Sequence, residues 1–274
     1  MNSTLAPQTR YLKLAGGTLA YDDTEGAGTP VLLLPGMLDS RAAYRHLVPL
    51  LTAAGHRVIT MDLRGFGESS IAWDDYSPTA LAGDALALLD HLGVERAVLV
   101  GSSYTGATVI RVAADAPERV AGIVLLDAFA EQPAGAFTKA LGWGLGTALL
   151  AFPKVWGYYL NKLAYPGGPT PEIRAYNAGL EAALRTPGRK TATRGYVRGD
   201  SAPIGWSAGV RCPALVVMGS KDPDFPKPEE LADRQAAALN ARKVMIDGAG
   251  HYPMAQAPRA TADALLPFLA EVAA

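Results

Sequence analysis

The 274-residue chain has little cysteine and little charge. Its single cysteine, Cys212, excludes an intramolecular disulfide and a cysteine-based metal site. Charged residues make up 19% of the sequence and the formal net charge is −1, which gives no electrostatic reason to expect nucleic acid as a partner. The first 13 residues lack the layout of a signal peptide, and the apolar stretch 140–153 is too short to span a bilayer. We therefore expect a cytoplasmic protein without a transmembrane segment.

Apolar residues, by contrast, make up 49% of the chain, which is ample for one large core. Short, continuously apolar runs alternate with segments whose apolar residues recur at helical spacing. This alternation predicts an α/β fold, with a mostly parallel central sheet and helices on both faces. Strands are predicted at 11–14, 18–21, 31–34, 57–61, 97–100, 120–126, 214–218 and 243–246.

The alternation stops for about eighty residues after the strand at 120–126, and it resumes at 214. We predict a core of 1–130 and 207–274 and an insertion at 131–206. Ligands bind at the carboxyl ends of the strands in open α/β sheets, so the insertion is expected to be a helical lid over that edge. Its first part is rich in aromatic residues that either pack on the core or line an apolar pocket. The expected substrate contacts are Leu38, Phe137, Trp143 and Trp156.

The most informative stretch is Leu99-Val-Gly-Ser-Ser-Tyr-Thr-Gly106. An apolar run leads into a glycine, a serine stands two residues later, and a helical pattern follows. This is the pattern of a nucleophile elbow, in which a sharp strand-to-helix turn exposes the serine. The turn needs small residues two positions to either side of the nucleophile. Gly101 and Thr105 satisfy this for Ser103, whereas Ser102 would have Val100 and Tyr104 there, so we predict Ser103 as the nucleophile.

A serine nucleophile needs a base, and the base needs an acid that orients it. His251 follows a glycine-rich turn directly after the last predicted strand, and Asp222 follows the strand before it. The order Ser103, Asp222, His251, each beyond the end of a strand, predicts a catalytic triad. Asp127, at the end of the strand after the elbow, and Asp224 are the alternative positions for the acid.

These segments, with the Asp62-Leu-Arg-Gly-Phe-Gly-Glu-Ser69 loop, make the chain resemble the α/β-hydrolase superfamily over nearly its whole length. The resemblance is to serine esterase-like and lipase-like members with a helical lid. It implies an oxyanion hole formed by the backbone amides of Met37 and Tyr104. The histidine that often precedes the glycine of the first oxyanion segment is replaced here by Pro35, in Pro35-Gly36-Met37. Because the donor is a backbone N–H, this change need not abolish the hole.

The resemblance implies a carboxylester hydrolase that acts on small or medium apolar esters, with water as second substrate and with no cofactor or metal. Similar dehalogenases and epoxide hydrolases use aspartate at the elbow, and Ser103 argues against both. A C–C bond hydrolase, a perhydrolase or haloperoxidase-like enzyme and an acyltransferase could share the triad. A hydrolase-derived ligand-binding protein is the alternative outside enzymes. Leu38 stands where haloperoxidase-like relatives often carry proline, and this favours ester hydrolysis. The sequence leaves homo-oligomer formation open.

Overall fold

A single eight-stranded sheet organises the protein. The computed structural model describes residues 8–130, 152–198 and 206–273. The sheet order is β1-β2-β4-β3-β5-β6-β7-β8. The first two strands form an antiparallel hairpin, and β2 pairs antiparallel with β4. All other pairs are parallel. The strands are β1 Arg10–Leu14, β2 Gly17–Asp23, β3 Pro30–Leu34, β4 Arg57–Met61, β5 Ala97–Ser102, β6 Val120–Leu126, β7 Ala214–Gly219 and β8 Arg242–Ile246.

The parallel strands explain the continuous apolar runs in the sequence. Every residue of β5, β6 and β7 is buried, because helices cover both faces of the sheet. The helices are α1 Val48–Ala53, α2 Pro78–His91, α3 Thr105–Asp115, α4 Pro153–Lys162, α5 Pro171–Ala183, α6 Arg189–Arg198, α7 Pro228–Leu239, α8 Pro253–Gln256 and α9 Pro258–Ala273. The predicted α/β architecture is confirmed. None of the helices in the described ranges is long and apolar enough to cross a membrane.

The segment after β3 contains two short helical pieces. A 3₁₀ turn spans Arg41–Tyr44, and α1 begins only at Val48. Pro49 lies in the first turn of α1. Proline has no backbone N–H and its ring clashes with the carbonyl four residues earlier, so one helix cannot run through this position undisturbed.

Helices α4, α5 and α6 lie in the sequence range predicted as an insertion. Each of them contacts the core through a tyrosine hydroxyl. Tyr159 of α4 donates to Asp224 at 2.7 Å, Tyr176 of α5 bonds with Ser40 at 2.9 Å, and Tyr196 of α6 donates to the backbone oxygen of Arg64 at 2.8 Å.

The Asp62–Ser69 loop serves the fold. Asp62 is fully buried, and its carboxylate accepts the backbone amides of Arg41 at 2.6 Å and Glu68 at 2.8 Å. Gly67 has φ +53°, and a Cβ there would lie 2.1 Å from the Asp62 carboxyl carbon. Only glycine fits that turn.

Candidate active site

Ser103 lies on a sharp turn between β5 and α3, with φ +53°. Such a conformation is uncommon for a residue other than glycine. The strand and the helix approach closely here, since a Cβ on Gly101 would lie 2.4 Å from the Thr105 backbone oxygen. The small residue at 101 is therefore a steric requirement of the turn, and the turn projects the serine beyond the sheet edge.

The Thr105 hydroxyl joins the elbow to the segment after β3. It lies 2.9 Å from the backbone oxygens of both Leu34 and Ser102. A Cβ on Gly36 would lie 3.0 Å from the Ser103 Cβ, so the Pro35-Gly36-Met37 segment runs directly beside the serine. Sequence reasoning treated Thr105 only as a small residue beside the nucleophile and missed the contacts of its hydroxyl.

The three residues predicted as a triad lie together. His251 Nε2 is 3.0 Å from Ser103 Oγ, and His251 Nδ1 is 2.7 Å from Asp222 Oδ2. The His251 and Asp222 side chains are almost completely buried, whereas Ser103 is half-buried. The histidine therefore faces the serine with one nitrogen and the carboxylate with the other.

Asp222 and His251 stabilise each other's charged form. Burial works against the Asp222 carboxylate, but the charge of His251 and its hydrogen bond outweigh burial and hold the pKa of Asp222 below its usual value. Burial also works against the imidazolium, but the charges of Asp222 and Asp224 outweigh it and raise the pKa of His251. This arrangement suits a base that must hold a proton during part of a reaction.

A second carboxylate, Asp224, approaches the other side of the histidine. Asp224 Oδ2 is 3.4 Å from His251 Nε2, the nitrogen that faces Ser103. Its other oxygen accepts the Tyr159 hydroxyl of α4 at 2.7 Å, and its backbone N–H donates to Asp222 Oδ1 at 2.9 Å. Asp224 is therefore not in the place of the orienting acid, which contacts Nδ1.

The histidine loop is also held by the backbone of the chain between α4 and α5. The His251 backbone N–H donates to the backbone oxygen of Ala164 at 3.1 Å. Gln256 accepts the Gly250 N–H at 2.9 Å and donates to the backbone oxygen of Pro166 at 2.8 Å. A Cβ on Gly250 would lie 2.3 Å from the Ala164 oxygen, so this close approach requires glycine.

Asp127, the alternative acid, does not contact His251 by a hydrogen bond within the described ranges. It is fully buried at the end of β6, and its Oδ1 accepts the Gly219 backbone N–H at 2.8 Å. Burial, and then the charge of Asp222, raise the pKa of Asp127 well above its usual value. Its side chain contacts the triad carboxylate rather than the histidine.

The two amides predicted for an oxyanion hole lie at the ends of the segments that flank Ser103. Met37 follows the glycine packed against the serine Cβ, and Tyr104 is the residue before α3. Within the described part of the chain, neither amide donates to a backbone oxygen in its turn. The Met37 and Tyr104 N–H groups therefore have no backbone acceptor of their own in that part of the chain, as the prediction of an oxyanion hole requires.

Two of the four predicted substrate contacts, Phe137 and Trp143, lie outside the described residues. Leu38 is buried with φ +67°, next to Met37, and it lines a cavity of about 280 Å³ between α5 and the core. Trp156 stacks on Tyr159, with ring centroids 5.1 Å apart, and Tyr159 in turn donates to Asp224. Trp156 therefore supports Tyr159, and its role as a substrate contact stays a prediction.

Sequence reasoning missed Phe129. Its ring lies 6.1 Å from the His251 ring and 4.8 Å from Phe225, and its side chain is 41% exposed. Its backbone N–H donates to the Ser103 backbone oxygen at 3.0 Å. A signal was present, because Phe129 follows a predicted strand at the same sheet edge as the triad.

Asp222, Asp224 and His251 also form a group whose donor atoms lie within 4.8 Å of one another, a spacing that could hold a cation. Their hydrogen bonds to each other already account for that spacing, because His251 Nδ1 is committed to Asp222.

Residues 29–177, more than half of the chain, match the family model described as the alpha/beta hydrolase fold. The protein belongs to the α/β-hydrolase family. A thermophilic esterase from Thermogutta terrifontis, solved with malate bound, is 26% identical, with a TM-score of 0.83 over 97% of this chain and 100% of the esterase chain. A bromoperoxidase from Bacillus anthracis is 25% identical, with a TM-score of 0.81 over 96% of this chain and 100% of that chain.

Curated relatives of this α/β-hydrolase carry other activities. Epoxide hydrolase A of Mycobacterium tuberculosis is 26% identical over 96% of this chain and 98% of its own length. Other matches are shorter. The chain covers 43% of the length of a relative from Mycobacterium phage D29 and 21% of the length of bifunctional epoxide hydrolase 2 of Sus scrofa.

Proposed function

We propose that this α/β-hydrolase is a carboxylester hydrolase that forms an acyl-enzyme on Ser103. The observation that carries the proposal is the contact chain from Ser103 Oγ through His251 to Asp222, at 3.0 Å and 2.7 Å. A hydroxyl is a weak nucleophile until a base removes its proton, and His251 Nε2 is within reach of that proton. The Asp222 carboxylate fixes the ring orientation and stabilises the imidazolium.

The reaction proceeds in two halves. Ser103 Oγ attacks the ester carbonyl carbon while its proton moves to His251 Nε2. The tetrahedral intermediate collapses, the C–O bond to the alcohol breaks, and Nε2 gives the proton to the departing oxygen. A water molecule then loses a proton to Nε2 and attacks the acyl carbon, and the Ser103 oxygen leaves with that proton.

The carbonyl oxygen becomes negatively charged in both halves, and the amides of Met37 and Tyr104 are assigned to hold it. Removal of one such donor costs about 3 kcal/mol in characterised hydrolases. The helices α4, α5 and α6 are assigned as the lid over this edge of the core, and Leu38 is assigned as an apolar substrate contact beside the cavity that it lines. The partners are thus an apolar ester and water.

The nucleophile separates this function from that of the epoxide hydrolase relatives. A serine ester with an oxyanion hole suits acyl transfer, in which charge develops on a carbonyl oxygen. Aspartate at the elbow, which the resemblance gives for epoxide hydrolases, is absent from the Ser103 position.

The test is turnover of a p-nitrophenyl ester series, from acetate to laurate, by wild type and Ser103→Ala. We expect hydrolysis by wild type, with a chain-length optimum that measures the acyl pocket, and loss of turnover in the variant. Labelling by a fluorophosphonate serine probe is expected in wild type alone. A folded wild type that neither hydrolyses the series nor takes the label would refute the proposal.

Peracid formation is the second candidate, favoured by the likeness to the Bacillus anthracis bromoperoxidase. Hydrogen peroxide would replace water as the nucleophile that attacks the acyl-enzyme, so that the acyl group leaves as a peracid. Leu38 stands where haloperoxidase-like relatives often carry proline, and Leu38→Pro is the matched variant. The measurement is the ratio of peracid to carboxylic acid formed in the presence of hydrogen peroxide. A ratio that is low in wild type and higher in Leu38→Pro supports hydrolysis by water as the native reaction.

A further inference from the structure

Asp127 is a carboxyl group that the mechanism above does not use. It is fully buried, and its Oδ1 accepts the Gly219 N–H at 2.8 Å. Its Oδ2 has no protein donor among the residues that the structure describes. Gly219, whose N–H Asp127 accepts, also accepts the Asp222 backbone N–H at 3.3 Å, so both aspartates bond to the same residue. The Asp222 side chain acts on the Asp127 carboxyl group both as a charge and as a hydrogen-bond partner.

The backbone of Asp127 explains how the side chain reaches this place. Asp127 has φ +47°, a left-handed conformation that aspartate tolerates better than most residues. Its backbone N–H donates to the Val217 oxygen of β7 at 2.9 Å. Both its backbone and its side chain therefore bond to the end of β7, three residues before Asp222.

Two carboxyl groups in contact away from water cannot both carry a charge. A hydrogen bond between them needs one proton, which one partner donates and the other accepts. One of the two carboxyl groups therefore holds that proton.

The other hydrogen-bond donors around the two carboxyl groups indicate which group holds the proton. Asp222 accepts His251 Nδ1 at 2.7 Å and the Asp224 N–H at 2.9 Å, so two donors, one of them cationic when protonated, stabilise its charge. Asp127 accepts one neutral amide, and no cationic side chain of the described ranges forms an ion pair with it. The charged groups that act on Asp127 are thus the Asp222 carboxylate and His251.

We propose that Asp127 is a neutral carboxylic acid that donates a hydrogen bond to the Asp222 carboxylate and so positions the triad acid. The inference rests on the proposed role of Asp222. Asp127 is a positioning residue, because it acts on His251 only through Asp222. It also holds the end of β7, from which the Asp222 loop begins.

The first experiment compares Asp127→Asn with Asp127→Ala. Asparagine has the same shape, accepts the Gly219 N–H through its oxygen, and donates to Asp222 through its amide. We therefore expect Asp127→Asn to keep kcat within about threefold of wild type, and Asp127→Ala to lose roughly ten- to hundredfold in kcat with less change in KM. A loss in Asp127→Asn as large as in Asp222→Asn, roughly 10⁴-fold, would identify Asp127 as an ionised acid and overturn the proposal.

The pH profile separates positioning from a structural role. A neutral Asp127 contributes no charge to His251, so the acidic midpoint of kcat/KM is expected at the same pH in Asp127→Asn as in wild type. A midpoint shifted to lower pH in Asp127→Asn would mean that a negative charge had been removed, and it would overturn the proposal. Thermal unfolding of both variants shows whether a loss of kcat reflects loss of folded protein.

Infrared difference spectroscopy detects the proton directly and needs no substrate. The carbonyl stretch of a buried, protonated carboxyl group is expected in wild type and lost in Asp127→Asn. A band that persists in Asp127→Asn, or that wild type lacks, overturns the proposal. This measurement also keeps the two proposals distinguishable, since failure of ester turnover and serine labelling in wild type would refute the function while the infrared result still reports on Asp127.

Discussion

The Tyr159 hydroxyl donates to Asp224 Oδ1 at 2.7 Å, and the other oxygen of that carboxylate lies 3.4 Å from His251 Nε2. One side chain of α4 is thus connected through a single carboxylate to the nitrogen that faces Ser103. The hydroxyl fixes the orientation of a group that could otherwise turn towards Nε2 and compete with the serine for it.

Tyr159→Phe tests this connection. Removal of the hydroxyl takes a donor from a carboxylate, and we expect a loss of about 1.5 kcal/mol in the free energy of unfolding together with a several-fold lower kcat. The adjacent Tyr158 is 60% exposed, and Tyr158→Phe is the matched control, with no expected change in either quantity. Chemical denaturation and ester turnover measure both. Equal effects of the two substitutions would contradict the role given to Tyr159.

Asp224→Asn is predicted to move the pH dependence of catalysis. The charges of Asp222 and Asp224 raise the pKa of His251 above its ordinary value of about 6.5. His251 acts as a base only when deprotonated, so kcat/KM rises as pH increases through that pKa. The variant lacks one negative charge, which lowers the pKa and moves the acidic midpoint to lower pH.

The control for this shift is Asp247→Asn. Asp247 is exposed and contacts Ser220 at 3.2 Å, so its removal changes the net charge equally without a contact to the imidazole. The pH profile of kcat/KM for a neutral ester is the measurement. A midpoint that moves upward in Asp224→Asn, or equally in both variants, would contradict the prediction.

Thr105→Val is predicted to damage the elbow. The hydroxyl shares its one proton between the backbone oxygens of Leu34 and Ser102, and the Leu34 oxygen also accepts the Tyr44 hydroxyl at 2.7 Å. Valine therefore removes one buried donor and costs about 1 kcal/mol of stability. The kcat is expected to fall as well, because the segment carrying Met37 loses its tie to the elbow. Thr108, also buried on α3, has a hydroxyl without a partner in the described part of the chain, and Thr108→Val is expected to be neutral or stabilising.

Gly101→Ala is predicted to disrupt the same turn by steric clash. The new methyl group would lie 2.4 Å from the Thr105 backbone oxygen, and backbone cannot move aside cheaply. We expect loss of folded protein or of serine labelling. Gly83 in α2 is exposed and has no atom within 4 Å of a built Cβ, so Gly83→Ala is expected to raise stability by up to about 1 kcal/mol. A thermally stable, fully labelled Gly101→Ala would contradict this account.

The sequence predicted those parts of the molecule in which local pattern and topology agree. Parallel strands that are covered on both faces must be apolar throughout. Continuous apolar runs in the sequence therefore predicted β5, β6 and β7. Parallel strands also end at one edge, and this is why residues as distant as Ser103 and His251 could be paired before their contact was seen.

The sequence could not show side-chain placement at the scale of an ångström, or which of two carboxyl groups holds a proton. Asp222 and Asp224 are two residues apart, and only the folded loop shows that one contacts Nδ1 while the other approaches Nε2. The bond between Tyr159 and Asp224 joins residues 65 positions apart in the chain and leaves no periodic signal. Pro49 did indicate in the sequence that a helix begins close to it, because proline is tolerated in the first turn of a helix and not in its interior.

The anchoring of His251 has a consequence for how the enzyme can be altered. The acceptors of the His251 N–H and of the Gln256 amide are main-chain oxygens of Ala164 and Pro166, which every amino acid supplies. Substitution of Pro166 keeps its backbone oxygen in the chain, whereas the neighbouring Tyr165 is buried and stacks on Tyr252 beside His251. Shortening the chain through 164–166 removes those oxygens altogether. Deletion of a residue within 164–166 is therefore expected to harm catalysis more than substitution of Pro166 does.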